Sequence, residues 1–382
     1  MPDIVVSGGG PAGAFAALRL ARAGARVVLI DRDTFPRHKL CGDTLNPGAM
    51  ALLRQAGLAG PVETHGLPLD GMLVTGTGGV RIRGTYGTGM VGRAWARHAL
   101  DAHLLNAAAA AGVEVRTGVR AVRPAVDRRG RVVGIVTRRP GGAEETCRAD
   151  WTIAADGRRS PLALALGLIT HPRSPRRWAI GTYVEGVADV GGVGEMHVRA
   201  GHYIGVAPAS GDRANVCLVT ASRGHCPDPA VRLWQAVRQD PMLGERFATA
   251  SQVAPVVTLG PLAVDARAVG VPGLLLAGDA AGFVDPMTGD GLHLALRGAV
   301  LAADAVLLQD GRSDESVVEA LAAARRRELG GKQRFNRILR GLVGWPLGLR
   351  AGALGAACLP AALRHVIATA GDVGVARRQA PA

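Results

Sequence analysis

The sequence predicts an α/β fold in which a parallel sheet with a glycine-rich loop carries an inserted antiparallel β-sheet and precedes a C-terminal helical region. Three observations predict it. A short buried strand, a glycine-rich loop and a helix open the chain. Strand-like runs with turn signals fill residues 172–259, and an amphipathic Arg/Leu pattern begins near residue 315. The length of 382 residues suits two domains, or one domain with a large insertion.

The first element is a strand–loop–helix–strand unit at the N-terminus. Ile4–Val6 is a β-branched run, Gly8–Gly13 contains G-x-G-x-x-G, and a second apolar run, Val27–Ile30, ends at an acid. Such glycines allow a tight turn, close approach of a pyrophosphate and packing of the helix, while the acid accepts from ribose hydroxyls. A glycine-rich turn without a ligand is the alternative. The predicted contacts of this Rossmann-type unit are Gly8, Gly10, Pro11, Ala12, Gly13, Asp31 and Arg32.

Three later segments carry a resemblance to a known family. They are Phe35–Asp43, which reads F-P-R-H-K-L-C-G-D; Trp151–Ser160, which contains an Asp-Gly pair; and Leu274–Leu292, which contains Gly-Asp and P-M-T-G-D-G. Together they resemble the FAD fold of the para-hydroxybenzoate hydroxylase superfamily, in particular its geranylgeranyl-reductase-like subgroup. The resemblance covers most of residues 1–310, and it implies that the dinucleotide is FAD.

The resemblance also implies where the cofactor lies. Cys41 would lie near the isoalloxazine, Asp279 would accept from the ribitol hydroxyls, and the backbone near Val119 would meet the adenine. The N-terminus of the helix after Gly289 would face flavin N1 and the C2 carbonyl, where it stabilises the anion of a reduced flavin. The implied contacts are Lys39, Cys41, Gly42, Arg97, Val119, Asp156, Gly157, Gly278, Asp279, Pro286, Gly289, Asp290, Gly291 and Leu292.

No catalytic residue is assigned from the sequence, but two candidates stand out. Cys41 is expected beside the flavin, although a free cysteine is usually a small buried hydrophobe. His293 is a candidate because its helix begins at the flavin. No zinc, P-loop or G-x-S-x-G pattern occurs, so no metal is predicted.

The order of the motifs gives the expected domains. Residues 1–170 and 260–310 form a discontinuous FAD-binding domain in this interpretation. Residues 171–259 form a substrate-binding β-sheet domain, to which residues from about 71–90 add strands. Residues 311–382 form the C-terminal helical region.

One predicted strand departs from the family pattern. Geranylgeranyl reductases and flavin-dependent halogenases carry Y-x-W-x-F-P or W-x-W-x-I-P there, whereas this chain reads Y-I-G-V-A-P from Tyr203 to Pro208. Gly205 and Ala207 thus replace two large aromatic side chains, which should open a substrate cavity. The predicted substrate contacts are Tyr203, Gly205 and Ala207.

The leading hypothesis is a flavoprotein monooxygenase or oxidase acting on a hydrophobic small molecule. No second dinucleotide fingerprint occurs. We therefore expect either that NAD(P)H binds transiently as a co-substrate or that a separate reductase reduces the flavin. The alternative is a geranylgeranyl-reductase-like reduction of isoprenoid double bonds, and a third hypothesis is a non-catalytic flavin-binding protein. A halogenase ranks low, because it needs a lysine at the cavity and Lys39 lies in the wrong motif.

Composition limits partners and location. The net charge is +14, but the arginines are spread along the chain and aromatic residues make up only 3%, which argues against nucleic-acid binding. Five widely spaced cysteines indicate a reducing, cytoplasmic compartment. The nearest candidate for a membrane span is the apolar stretch Gly341–Leu363, which Arg350 and two prolines interrupt. The basic, apolar C-terminal region would suit peripheral contact with the inner face of the membrane, but ordinary helix packing over the FAD-binding domain is favoured. No obligate protein partner is evident.

Overall fold

The computed structural model describes residues 3–172, 176–221, 228–309, 311–343, 366–374 and 376. The strands are β1 Asp3–Ser7, β2 Arg26–Ile30, β3 Thr44–Leu45, β4 Leu67–Leu69, β5 Gly71–Thr75, β6 Arg81–Thr85, β7 Gly92–Ala94, β8 Glu114–Arg116, β9 Arg120–Val126, β10 Val132–Arg138, β11 Glu144–Arg148, β12 Trp151–Ala154, β13 Ile169–Thr170, β14 Trp178–Glu185, β15 Val193–Arg199, β16 His202–Pro208, β17 Ala214–Thr220, β18 Ser251–Gln252, β19 Val257–Leu259, β20 Asp265–Ala266, β21 Gly270–Val271 and β22 Leu274–Leu276. The helices are α1 Pro11–Arg22, α2 Pro47–Gln55, α3 Ala59–His65, α4 Arg97–Ala110, α5 Pro161–Ala165, α6 Pro229–Gln239, α7 Gly291–Leu307 and α8 Asp314–Val343.

A mixed six-stranded sheet forms the first half of the α/β fold. Its order is β21-β22-β12-β1-β2-β8, and every neighbouring pair except β21–β22 is parallel. Successive residues of β1 serve opposite faces, as the pleat requires. Ile4 and Val6 join the core with α1, α4 and α7, whereas Val5 joins the core beneath β9 and β10. Both faces are therefore covered, which explains the continuous apolar character of β1.

An eight-stranded sheet forms the second half. Its path is β18-β14-β17-β16-β15-β5-β6, with β19 paired to β14. One face packs Ile180, Ile204 and Leu218 against α6. The opposite face carries Ala179, Tyr203 and other side chains that turn toward the first half of the molecule. The short β5–β6 pair comes from the early part of the chain and completes this sheet through the parallel β5–β15 pairing.

The C-terminal part is a long helix followed by a short docked segment. α8 packs on α7, and residues 366–374 contact Tyr86, directly after β6, and Gly48 in α2. No described helix combines the length and apolarity needed to cross a membrane. The apolar stretch of the sequence prediction falls mainly on residues 344–365, which lie outside the described residues.

Candidate cofactor and substrate site

The largest group of predicted site residues lines a single cavity between the two sheets. From the first sheet it receives the start of α1, the loop after Pro36 and the segment from Gly278 to Leu292; from the second it receives β14–β17. The predicted residues that line it are Gly10, Pro11, Ala12, Lys39, Cys41, Gly42, Arg97, Gly157, Tyr203, Gly205, Ala207, Gly278, Asp279, Pro286, Gly289, Gly291 and Leu292.

Two helix N-termini open into this cavity. The caps of α1 and α7 are Gly10 and Asp290, and neither supplies a side-chain cap hydrogen bond in the described structure. The first-turn N–H groups of a helix are orphan donors and carry its positive dipole end. The cavity therefore offers two sets of backbone donors to an anionic ligand.

The glycine-rich loop is shaped by close backbone contacts. Gly8 has φ 104°, and a Cβ there would lie 2.5 Å from the carbonyl oxygen of Ala155. A Cβ on Gly13 would lie 1.8 Å from the carbonyl oxygen of Gly8. The first and last glycines are thus required by the approach of β12 and by the strand–helix turn, and not by any ligand contact of their own.

Asp31 ties the end of β2 to the same loop. Its Oδ2 accepts from the backbone N–H of Gly9 at 2.6 Å, and its Oδ1 accepts from the N–H of Asp33 at 2.8 Å. The carboxylate is almost fully buried beside the N-terminus of α1. It therefore already holds the conformation of the loop.

Positive charge gathers at the α1 end of the cavity. Arg97 makes a bidentate pair with buried Asp101, with N–O distances of 2.8 and 2.9 Å. Burial, followed by the charge of Arg97, lowers the pKa of Lys39 to about 8. Arg158 lies 3.7 Å from Asp279. A diphosphate is the kind of group that such a cluster of cations would bind.

A buried carboxyl network lies behind Cys41. Asp43 has φ 55°, which is uncommon for a non-glycine residue. It accepts from the backbone N–H of Arg97 at 3.0 Å, from the amide of Asn215 at 3.1 Å and from the hydroxyl of Tyr183. Burial raises the pKa of Asp43 to about 6. The network joins the loop, α4 and two strands of the second sheet at one point of the cavity wall.

The sheet wall of the cavity is unusually open at its centre. Cys217 stands between Gly181 on β14 and Gly205 on β16. A Cβ on Gly205 would meet nothing closer than 3.8 Å, so there is free space above it. Burial raises the pKa of the Cys217 thiol to about 12, which keeps it neutral. The free space above Gly205 leaves room for an apolar ligand. Gly181 does not add to it, because a Cβ there would lie 2.7 Å from Cδ1 of Leu40.

Tyr203 borders that space but its hydroxyl is committed elsewhere. The hydroxyl donates to Asp285 Oδ1 at 2.7 Å, and Arg177 donates to Asp285 Oδ2 at 2.9 Å. Asp285 in turn precedes the turn Pro286–Thr288 that leads into α7. Tyr203 thus offers its ring to a ligand, while its hydroxyl fixes the second sheet to the loop before α7.

Comparison with known proteins agrees with this geometry. Residues 1–328 match the family described as FAD binding domain. The chain belongs to this FAD-binding family. As a member of the family, with relatives named as reductases, it is an FAD-dependent oxidoreductase.

Relatives of this FAD-binding protein include two kinds of reductase. The menaquinone reductase of Mycobacterium tuberculosis is 32% identical over 313 residues, which cover 79% of this chain and 76% of that protein. The digeranylgeranylglycerophospholipid reductase 2 of Methanothermobacter thermautotrophicus is 30% identical over 352 residues, covering 89% and 88%. The solved structure of the flavin-dependent brominase Bmp2 superposes with a TM-score of 0.85 at 21% identity, covering 97% of this chain and 93% of that one. This last likeness concerns the fold.

The residues present fit FAD. Gly10, Pro11 and Ala12 line the cavity, and Gly10 has no side chain to cover its backbone there. The uncapped start of α1, with Lys39, Arg97 and Arg158, suits the diphosphate. Asp279 is half-buried on the cavity wall and free to accept from hydroxyls. The start of α7 suits the electron-rich edge of a reduced flavin.

The structure corrects the hypothesis that His293 acts at the flavin. His293 is buried on the other side of α7, where its Nδ1 lies 2.8 Å from Asp372 Oδ2. The side chain of Asp290 also turns away from the cavity and accepts from Asn336 at 2.7 Å. Gly291 and Leu292 do line the cavity, and each further residue rotates about 100° around the helix. That rotation carries His293 out of the site.

Other predicted contacts lie outside the cavity lining. Arg32 is exposed and lies 3.7 Å from Asp33, whereas Val119 is buried in the core and donates its N–H to the carbonyl oxygen of Asp31. Asp156 is packed against Gly8 and accepts from the hydroxyl of Ser7 at 3.3 Å. Burial raises the pKa of Asp156 to about 6. Asp156 therefore supports the loop from behind.

Sequence reasoning missed several residues that shape the site. Asp43 and Arg158 lie inside two of the motifs named above. Their position in a motif could have identified them as site residues. Tyr183 and Asn215 lie on separate strands with no motif around them. Their meeting at Asp43 depends on the pairing of β14 with β17 and gives no sequence signal.

Proposed function

We propose that this protein is an FAD-dependent reductase that adds hydrogen across an isoprenoid double bond of a lipid-like substrate. The main support for this proposal is the open, largely apolar cavity over Gly205, which adjoins the two helix N-termini expected to hold FAD. Both menaquinone and a digeranylgeranylglycerophospholipid carry long isoprenoid chains, and proteins named as their reductases are relatives of this chain. The sequence alone favoured a monooxygenase; these relatives move the preference to the reductase.

The cavity wall explains how such a substrate would be held. Apolar side chains from both halves line it, among them Met72, Met196, Leu262 and Met287. Methionines are unbranched and adapt to irregular apolar ligands. Gly205 and Ala207 remove the bulk that aromatic residues would place on this wall, so a branched isoprenoid chain can lie across the sheet. Polar groups concentrate at the end near α1 instead.

In the proposed reaction, the cofactor and the protein have separate roles. Bound FAD supplies a hydride taken from NAD(P)H. The chain orients the double bond, excludes water through its apolar wall, and must deliver a proton to the second carbon. The Cys41 thiol is the candidate donor, because it lines the cavity within hydrogen-bonding reach of the Arg97 guanidinium. The thiolate that remains would lie beside the Arg97 guanidinium until a proton from solvent restores it.

The monooxygenase remains a second candidate because of the same glycine. Replacement of two aromatic positions by Gly205 and Ala207 departs from the prenyl-reductase strand. An enlarged wall of this kind would also admit a bulky aromatic or polyketide substrate. Hydroxylation of such a substrate would need dioxygen to reach the flavin.

One experiment separates the candidates. The purified FAD-loaded protein is reduced chemically without oxygen and mixed with menaquinone or geranylgeranyl lipid. Reoxidation of the flavin, with a mass gain of two hydrogens in the lipid, supports the reductase. Stable reduced flavin with these lipids, followed by rapid peroxide release when oxygen is admitted, contradicts it and favours the monooxygenase. No flavin reduction by NADH or NADPH, and no reoxidation of the chemically reduced flavin by these lipids, would indicate a non-catalytic protein.

A further inference from the structure

A second cavity lies on the outer side of the segment that borders the FAD site. It runs between the segment Gly278–Asp285 and one face of α8, and it shares Gly278, Asp279 and Gly291 with the first cavity. We call it the arginine groove. Its arginines are Arg267, Arg325, Arg326, Arg337 and Arg340.

The groove has a large excess of positive charge. Five guanidinium groups line it, against the carboxylates of Asp265, Asp279 and Asp285. Asp285 is paired with Arg177, and Asp279 lies beside Arg158. Within the described part of the chain, no carboxylate lies within ion-pair distance of any of the five arginines. Such charge is costly to gather on one surface unless a ligand neutralises it.

Arg325 differs from an ordinary solvated arginine. It is only 9% exposed, and burial lowers its pKa to about 10. Its Nη2 donates to the carbonyl oxygen of Ala281 at 3.0 Å, yet it has no countercharge among the described residues. Burying a guanidinium without a carboxylate partner destabilises the folded protein. An anion bound in the groove would therefore lower the free energy of this buried charge.

We infer that the arginine groove binds the phosphate group of a small molecule. Guanidinium groups bind phosphate oxygens in bidentate pairs, and they do so at sites that lysine fills less well. Arg326 and Arg337 project from the same face of α8 at a spacing of eleven residues, about three turns. A phosphate bound between them would contact the turn Gly278–Ala281, which also forms the wall of the FAD site. The inference does not depend on the reaction that the protein catalyses.

The test uses the FAD-loaded protein, so that the diphosphate site at α1 is already filled. Binding of inorganic pyrophosphate is measured by calorimetry for the wild type and for the double variant Arg326→Gln/Arg337→Gln. We expect saturable binding that weakens at least tenfold in the double variant. Arg334→Gln is the matched control, because Arg334 is exposed on α8 but lies outside the groove. No saturable binding, or equal affinity of wild type and double variant, overturns the inference.

Competition then identifies the source of the phosphate. NADPH, NADH and phosphatidylglycerol vesicles are each titrated against bound pyrophosphate. Displacement by NADPH alone assigns the groove to the extra phosphate of that dinucleotide, and displacement by both dinucleotides assigns it to their shared diphosphate. Displacement by vesicles alone assigns it to a lipid headgroup. If none of them displaces pyrophosphate, the assignment to a cofactor or lipid phosphate is wrong.

Discussion

At the scale of single residues, Asp279 occupies the boundary between the FAD cavity and the arginine groove. As an acceptor of charge-assisted hydrogen bonds from hydroxyls, it should contribute about 1.5–3 kcal/mol to cofactor binding. Asp279→Ala is therefore expected to weaken FAD binding roughly ten- to a hundredfold, measured by fluorescence quenching of the flavin. The fold should survive, because the side chain faces the cavities. Unchanged FAD affinity would place the ribitol elsewhere.

Gly205 is the residue on which the cavity hypothesis depends most. Since a Cβ there would have no neighbour closer than 3.8 Å, Gly205→Trp should fold and bind FAD while filling the substrate space. We expect lipid turnover to fall sharply, with little change in Tm or in flavin reduction. Gly205→Ala is the control and should retain turnover. Full activity of the Trp variant would show that substrate does not cross this part of the sheet.

Asp43 should make stability depend on pH in an unusual direction. Its pKa of about 6 in the folded protein lies above the ordinary value of 3.8, so the folded state holds a proton that the unfolded chain has lost. Its stabilising contribution is therefore present below pH 4 and is lost as the pH rises to about 6. The unfolding free energy of wild type minus that of Asp43→Asn should fall by roughly 2.4 kcal/mol between pH 4 and 7.

Urea unfolding of both proteins at several pH values measures this difference. Subtracting the variant removes the contribution of Asp156, whose pKa is also raised to about 6. A difference that stays constant across this range would mean that Asp43 is not held in a buried network.

At the scale of elements, α8 owes much of its position to one lysine. Lys332 Nζ donates to the carbonyl oxygens of Thr369 and Ala370 at 2.5 and 2.8 Å. It also lies 3.3 Å from Asp290 and 3.2 Å from Asp372. This buried cluster joins α8 to the start of α7 and to the segment 366–374. The helix thus fixes the outer face of the element whose inner face meets FAD.

Removing that lysine should destabilise the protein strongly. Lys332→Met would leave the buried carboxylate of Asp290 without its cation and Asp372 with His293 alone. Breaking a buried ion pair by removing one partner typically costs 3–5 kcal/mol. Chemical denaturation should show this loss, and Arg334→Gln on the exposed face of α8 should change stability by less than about 0.5 kcal/mol. Adding Asp372→Asn to the lysine variant should restore part of the loss. A Lys332→Met protein as stable as wild type would contradict the buried arrangement.

At the scale of the whole molecule, FAD should act as a bridge between the two sheets. Both line the cavity, so bound cofactor stabilises the folded state as a unit. FAD at a hundredfold its Kd should add about 2.7 kcal/mol, which corresponds to a Tm increase of about 3 °C in a chain of this size. Differential scanning fluorimetry measures it, with FMN as the control because it lacks the adenylate half. An equal shift with FMN would mean that the α1 end of the cavity does not hold the dinucleotide.

Local sequence signals predicted much of the fold. β14, β15 and β17 coincide closely with the predicted strands, and α8 begins where the amphipathic pattern begins. Val119, which the resemblance placed near the adenine, lies between β8 and β9, where Gly118 takes φ 69° and interrupts the strand. Helix α6 lies in a region predicted as strands. The φ angle that a glycine adopts, and the packing of a short helix, depend on neighbouring segments that the local sequence does not reveal.

The sequence by itself determined the glycine loop, the motif order and hence the FAD-binding family, because each motif is a run of adjacent residues with its own steric and electrostatic requirement. Only the tertiary structure decided which side of α7 faces the cavity, and His293 lies on the other side. It also brought Asp43, Tyr183 and Asn215 together and gathered five arginines in one groove. These groupings depend on helix rotation and strand pairing between distant segments, which local periodicity does not specify.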